Sequence, residues 1–160
     1  MKKKALYPGS FDPITYGHLD ILNRASLIFD EVRVVIFENI NKQYLFSPQE
    51  RQTMILDLIR SEKNIKVDVY SGLVANYAIE NSYQTIIRGL RAVSDFEYEF
   101  QMALTNRQLS KQLDTMFLMT DQKYSYLSSS IVKQVCQFGG DISAFVPDQV
   151  ERALRRKYNE

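Results

Sequence analysis

The sequence is poor in the residues that build metal, redox and disulfide chemistry. It has one cysteine, Cys136, one histidine, His18, and no tryptophan. A single cysteine excludes an internal disulfide, and a single histidine excludes a His-rich zinc or iron site. Six glycines and four prolines in 160 residues exclude collagen-like and low-complexity chains. An excess of either charge is also missing: 20 Lys and Arg stand against 19 Asp and Glu, a net charge of +1. Such a chain has no global field for nucleic acid or anionic lipid, so an anionic partner must be met locally. Apolar runs reach only the length of Val34–Phe37, against the roughly 20 residues of a membrane span. Lys2–Lys4 resemble the basic start of a secretion signal, but Pro8-Gly9 cut the following apolar stretch short. These exclusions predict a cytoplasmic protein with neither membrane nor nucleic acid as partner. What is present is a 45% hydrophobic content, enough to bury roughly 70% of the unfolded surface at this length. One domain over residues 1–160 is expected.

Periodicity and punctuation order the chain. Ala5–Tyr7 is a short strand ended by Pro8-Gly9, and Leu19–Phe29 carries apolar residues at helical spacing. Val32–Phe37 is a β-branched run suited to a strand buried on both faces. Ser47-Pro48-Gln49-Glu50 has the form of a capping box with Pro at the first helical position, and predicts a helix to about Ile59. Ile65, Val67 and Val69 alternate as a half-exposed strand. A short helix over Leu73–Asn81 and a strand over Thr85–Ile87 follow. Ser94-Asp95-Phe96-Glu97 repeats the capping-box pattern and predicts a long helix towards Leu109. Thr115–Met119 is a fifth strand, followed by a serine-rich turn, a helix ended by Gly139-Gly140, and a basic helix after Pro147. This alternation predicts an α/β fold: a Rossmann-like, doubly wound, parallel five-stranded sheet with helices on both faces. Ligands of such sheets bind beyond the carboxyl ends of the strands, where strand order reverses. Attention therefore falls on Pro8–His18, Phe37–Lys42, Tyr70–Val74, Arg88–Arg91 and Thr120–Ser130.

The first of these segments fixes a turn with two prolines and two glycines, adds the hydroxyl of Ser10, and ends with His18 near a helix start. Free backbone N–H groups and the helix dipole favour an anion there. There is neither a G-x-G-x-x-G run nor a Walker-type Gly-Lys-Ser/Thr, so a dinucleotide fingerprint and a P-loop are both excluded. On residue types alone, His18 also fits an incidental place in a capping loop, Lys42 a solvated loop position, and Arg88 and Arg91 surface ion pairs. Glu97 and Glu99 fit solvated helix positions, and Ser128-Ser129-Ser130 a plain cap. Cys136 falls on an apolar helix face as a small core residue.

Thr15-Tyr16-Gly17-His18 matches the T/H-x-G-H signature of nucleotidyltransferases. The longer string Tyr7-Pro8-Gly9-Ser10-Phe11-Asp12-Pro13-Ile14-Thr15, the stretch Arg88–Glu99 and the stretch Tyr124–Ser130 together resemble the bacterial phosphopantetheine adenylyltransferase family over essentially the whole chain. The resemblance implies that ATP and 4′-phosphopantetheine give dephospho-coenzyme A and pyrophosphate, with coenzyme A as a further ligand. It also implies Mg2+ with ATP, no metal bound by the protein alone, and a homohexamer of two stacked trimers. Attack by an acceptor phosphate that is already anionic needs in-line positioning and donors at the α-phosphate rather than a strong base.

Carried over residue by residue, the resemblance makes His18, Lys42, Arg91 and Ser10 catalytic. It gives ATP the residues Ser10, Phe11, His18, Gly89, Leu90, Arg91, Glu99 and Tyr124-Ser125-Tyr126-Leu127-Ser128-Ser129-Ser130. Ser10, Lys42, Val74 and Arg88 go to the acceptor. Departures from the family pattern are small: Ser10 stands for threonine, Ile40 for proline, Val74 for methionine and Tyr124 for tryptophan. Lys133 stands where the wider superfamily has arginine. The aromatics Phe96, Tyr98 and Phe100 lie on a helix that the resemblance brings to neighbouring subunits. Two other readings remain at this stage: a sister nucleotidyltransferase acting on nicotinamide mononucleotide or glycerol phosphate, and a non-catalytic nucleotide sensor.

Overall fold

The computed structural model describes residues 2–38 and 43–159. Strands β1 (Lys4–Gly9), β2 (Glu31–Phe37), β3 (Ile65–Tyr70), β4 (Thr85–Leu90) and β5 (Asp114–Met119) form one sheet in the order β3-β2-β1-β4-β5. Every pairing is parallel. The order reverses between β1 and β4, as expected of a doubly wound sheet. Strand residues alternate between two cores. Tyr7, Val34 and Ile87 face one with Ile21, Ile55, Val132 and Leu154, while Leu6, Val35 and Ile86 face the other with Ala75, Tyr77 and Ala78. Helices α1 (Tyr16–Ile28), α2 (Pro48–Leu58), α5 (Ser129–Gln137) and α6 (Asp148–Asn159) cover the first face, and α3 (Val74–Glu80) covers the second beside α4 (Val93–Leu109).

Local chemistry explains most element ends. Ser47 caps α2, with Glu50 returning the bond to the Ser47 amide. Gly139, at φ +76°, closes α5 by donating to the Cys136 carbonyl. Cys136 is buried, as its apolar face predicts. Not all of β2 is apolar on both sides: the part-buried Arg33 donates to Asp68 and Glu31, which neutralise it, and to the Tyr83 hydroxyl.

Several boundaries differ from the sequence-based expectation. Strand β1 does not stop before Pro8-Gly9 but runs through them, because they pair with Val35 and Ile36 of β2, and α1 begins at Tyr16 rather than Leu19. Strand β4 continues past Ile87 to Leu90, because β5 pairs with it through Leu90↔Met119. Arg88, Gly89 and Leu90 are therefore strand residues, and only Arg91 follows the strand. Helix α4 starts at Val93 with Ala92 as its cap and no side-chain capping bond. Ser94 therefore lies inside the helix rather than at its cap, and Asp95 of the first turn accepts from the Arg91 amide and guanidinium. The glycine at 89 makes room inside the fold: a Cβ there would lie 3.0 Å from Ile21 Cγ1 of α1.

Candidate active site

A cleft of about 860 Å³ opens at the carboxyl ends of β1 and β4, where strand order reverses. The turn after β1 forms its floor. Phe11 holds a left-handed backbone, φ 49°, and its ring packs edge-on against the His18 imidazole with centroids 5.1 Å apart. Gly9 is required beneath it, since a Cβ at that position would lie 2.9 Å from the Phe11 ring.

His18 occupies the third position of α1 and completes a capping box. The Thr15 amide donates to His18 Nδ1 at 3.1 Å, while the His18 amide donates to Thr15 Oγ1 at 3.4 Å. An amide can only donate, so Nδ1 is an acceptor and the proton of the neutral ring sits on Nε2. Burial, followed by the nearby charges of Arg91 and Arg88, lowers the His18 pKa to about 4. The ring is thus a neutral Nε2–H donor at neutral pH. With one histidine in the chain, the Cε1 proton resonance should titrate with a midpoint near 4; a midpoint at about 6.5, the free value, would contradict this environment. The sign for stability follows: the folded value lies below the unfolded one. The contribution is therefore intact above about pH 6.5 and is lost as pH falls from there towards the folded value.

Two arginines face the cleft from β4 and its end. Arg88 grips Glu99 with Nε and Nη2, both at 2.6 Å, and donates from Nη1 to the Pro8 carbonyl at 2.9 Å. One proton on each of Nη1 and Nη2 remains for a further acceptor. Arg91 is clasped by Asp95 and reaches the Leu127 carbonyl at 2.9 Å, so it also ties down the loop before α5. On residue types alone Glu99 reads as a solvated helix residue. In the fold it is the counter-ion that aims Arg88, its side chain only 14% exposed.

The opposite wall is the N-terminus of α5. Ser128 caps it by accepting from the Ile131 amide at 3.1 Å, and Ser129 Oγ donates to the Pro13 carbonyl at 2.7 Å. The Ser129 and Ser130 amides ahead of Ile131 have no carbonyl to meet within the helix and point to where an anion can bind. Tyr124 also lines the cleft, stacked on Tyr16 with centroids 6.0 Å apart. Lys133, one turn further along α5, is paired with Asp12 at 2.7 Å.

The fold thus brings Ser10, Phe11, His18, Val74, Arg88 and Gly89 to one cleft, joined there by Arg91, Glu99, Tyr124, Leu127 and Ser128–Ser130. Leu90 is a buried strand residue, and Ser125 and the exposed Tyr126 lie off the cleft wall. Lys42 lies outside the described residues. Several wall residues escaped the sequence reading. Tyr98, Met102 and Asn106 line the cleft from one stripe of α4, a stripe legible in their i, i+4, i+8 spacing. Asp12 gave no such signal. Among the described residues, no group of three or more His, Cys, Asp or Glu side chains is placed to hold a metal ion, and no helix is long and apolar enough to cross a membrane.

A strand-end cleft with cationic forks, a neutral imidazole and free helix amides is suited to nucleoside triphosphate phosphates. Comparison with known proteins agrees. The cytidylyltransferase-like family matches residues 6–135, so the chain is a nucleotidyltransferase. The solved nicotinic acid mononucleotide adenylyltransferase of Plasmodium falciparum, complexed with NaAD, superposes with a TM-score of 0.70 at 18% identity, covering 99% of this chain and 97% of that one; at that identity it speaks for the fold alone. The phosphopantetheine adenylyltransferase of Alkaliphilus metalliredigens is 54% identical over 97% of this chain and 99% of its own length. That of Dictyoglomus turgidum is 52% identical over 97% of each. The chain belongs to the phosphopantetheine adenylyltransferase family.

Proposed function

We propose that this chain transfers the adenylyl group of ATP to 4′-phosphopantetheine, giving dephospho-coenzyme A and pyrophosphate, in the cytoplasmic synthesis of coenzyme A. The observation that carries the reading is the convergence of the His18 Nε2–H, Arg88 and Arg91 on one cleft at the sheet's switch point. A phosphate oxygen of the acceptor attacks the ATP α-phosphorus, a new P–O–P bridge forms, and the bond to the β-phosphate oxygen breaks as pyrophosphate leaves. No proton need be removed from the nucleophile, which matches a site whose histidine is neutral and already spends Nδ1 on a cap.

In this reading the His18 Nε2–H donates to the α-phosphate oxygens, where charge changes most in the five-coordinate transition state. Arg88, oriented by Glu99, takes the acceptor phosphate together with Lys42, and Val74 flanks the pantetheine arm. Arg91, Ser10, Phe11, Gly89, Tyr124 and the Leu127–Ser130 segment take ATP, with the first amides of α5 on its phosphates. Mg2+ carried by ATP would supply charge neutralisation on the phosphates that leave. The cleft carboxylates Asp12, Glu38, Asp95 and Glu99 each lie within ion-pair distance of a cation, which favours phosphate oxygens as the metal's ligands.

Assembly into a hexamer of two trimers is part of the proposal. Helix α4 leaves Phe96, Phe100 and Leu104 at 41%, 47% and 54% exposure, an apolar stripe at i, i+4, i+8 spacing suited to a subunit contact. Pyrophosphate release should appear with ATP and 4′-phosphopantetheine and stay at background with nicotinamide mononucleotide or glycerol 3-phosphate. Release with another acceptor in place of 4′-phosphopantetheine would overturn the assignment.

A further inference from the structure

Asp12 is 3% exposed, and its carboxylate joins three parts of the molecule. Oδ1 accepts from the Phe46 amide at 2.9 Å, and Oδ2 accepts both from the Leu45 amide at 3.0 Å and from Lys133 Nζ at 2.7 Å. Leu45 and Phe46 follow Gln43 and Tyr44, which line the cleft beside β2. Lys133 belongs to α5, whose first turn forms the opposite wall. The turn after β1 that carries Asp12 is gripped a second time: the fully buried Arg51 of α2 donates to the Ser10 carbonyl at 2.8 Å and stacks over the Tyr44 ring at 4.3 Å.

We propose that Asp12 is a positioning residue for adenylyl transfer, its carboxylate setting the distance between the Gln43–Phe46 wall and helix α5 while holding the Lys133 ammonium away from the nucleotide phosphates. This rests on the adenylyltransferase reading above. In-line displacement needs its two substrates held at one separation, and a misplacement of about 1 Å can cost 10²-fold in rate. An asparagine cannot replace the carboxylate. Its single oxygen can face Phe46 or the Leu45–Lys133 pair, and its NH2 group then meets donors on the other side. Whichever way the amide turns, one wall is released. Substrate contacts made by β1, β4 and the α5 amides stay in place, and a freed Lys133 adds positive charge on the nucleotide side.

Asp12→Asn should therefore lower kcat by about tenfold to a hundredfold while ATP affinity stays within about threefold or tightens. Lys133→Gln should also lower kcat. The double variant should be no slower than Asp12→Asn alone, because the pair acts as one device. The readouts are steady-state pyrophosphate release and ATP titration of each variant, with circular dichroism reporting the fold. A kcat within twofold of wild type in Asp12→Asn overturns the inference. So does ATP affinity lost in proportion to kcat, or a double variant whose losses multiply. Should Asp12→Asn fail to fold, Lys133→Gln decides alone, since Lys133 is at the cleft edge: unchanged kcat, or kcat and ATP affinity falling together, overturns the proposal. Wild-type protein inactive on ATP and 4′-phosphopantetheine would instead sink the functional reading itself, which keeps the two failures apart.

Discussion

Replacing His18 with alanine should lower turnover by roughly 10²–10³, the usual loss for one preorganised donor, with ATP affinity changed by no more than a few-fold. The imidazole contributes one free donor, because the Thr15 amide occupies Nδ1. That donor is suited to charge developing on the α-phosphorus rather than to holding ground-state ATP, for which the arginines and the α5 amides remain. The substitution also removes the His18 half of the capping box at α1, while Thr15 still accepts from the amide of residue 18, so stability should fall by the worth of one hydrogen bond, about 0.5–1.5 kcal/mol. Kinetics and nucleotide titration must therefore be read on one folded preparation. Turnover surviving within a few-fold would reduce His18 to its capping role, and a parallel loss of ATP affinity would make it a ground-state ligand.

The Arg88→Ala variant should weaken the acceptor by tenfold to over a hundredfold, the worth of about 1.5–3 kcal/mol for a charge-assisted contact, and weaken ATP much less. The structure adds a second consequence. Glu99 takes two bonds of 2.6 Å from Arg88 and is largely buried, so truncation leaves a carboxylate without its counter-ion and should lower the melting temperature. The ratio of the two affinities separates these effects, since loss of fold weakens both ligands alike. Calorimetric titration with 4′-phosphopantetheine and, separately, with ATP measures it. Acceptor affinity equal to wild type would remove Arg88 from the acceptor site and leave it a structural partner of Glu99.

Elements whose signals are local were legible without the fold. The capping box at Ser47, the β-branched run of β2 and the helix stop at Gly139 each depend on neighbours within a few residues. The alternation of strands and helices, with the strand-end rule, then pointed to the segments that meet in the cleft. The signature at Thr15–His18 identified the chemistry.

Elements that depend on pairing were misjudged at their edges. β4 reaches Leu90 because β5 lies beside it, and no property of Arg88-Gly89-Leu90 alone favours a strand. The helix that the capping-box pattern at Ser94 announced starts one residue earlier, at Val93, where Arg91 pairs with Asp95 of its first turn. The glycine at 89 signalled close approach, but only packing revealed that the neighbour is Ile21.

The sequence by itself determined the fold class, the order of elements, the nucleotidyltransferase signature and the strand-end segments that meet in the cleft, because those follow from spacing and residue type along the chain. Tertiary structure alone decided the states in which they act. The tautomer and low pKa of His18 depend on its Thr15 bond, on burial and on two arginines from β4 and its end. The pairing of Arg88 with Glu99 depends on where α4 crosses β4. The junction at Asp12 draws on residues 33, 34 and 121 positions away. A carboxylate shows what it neutralises only when the chain has closed around it, since charge and hydrogen-bond energies fall with distance in space, and sequence separation does not report that distance.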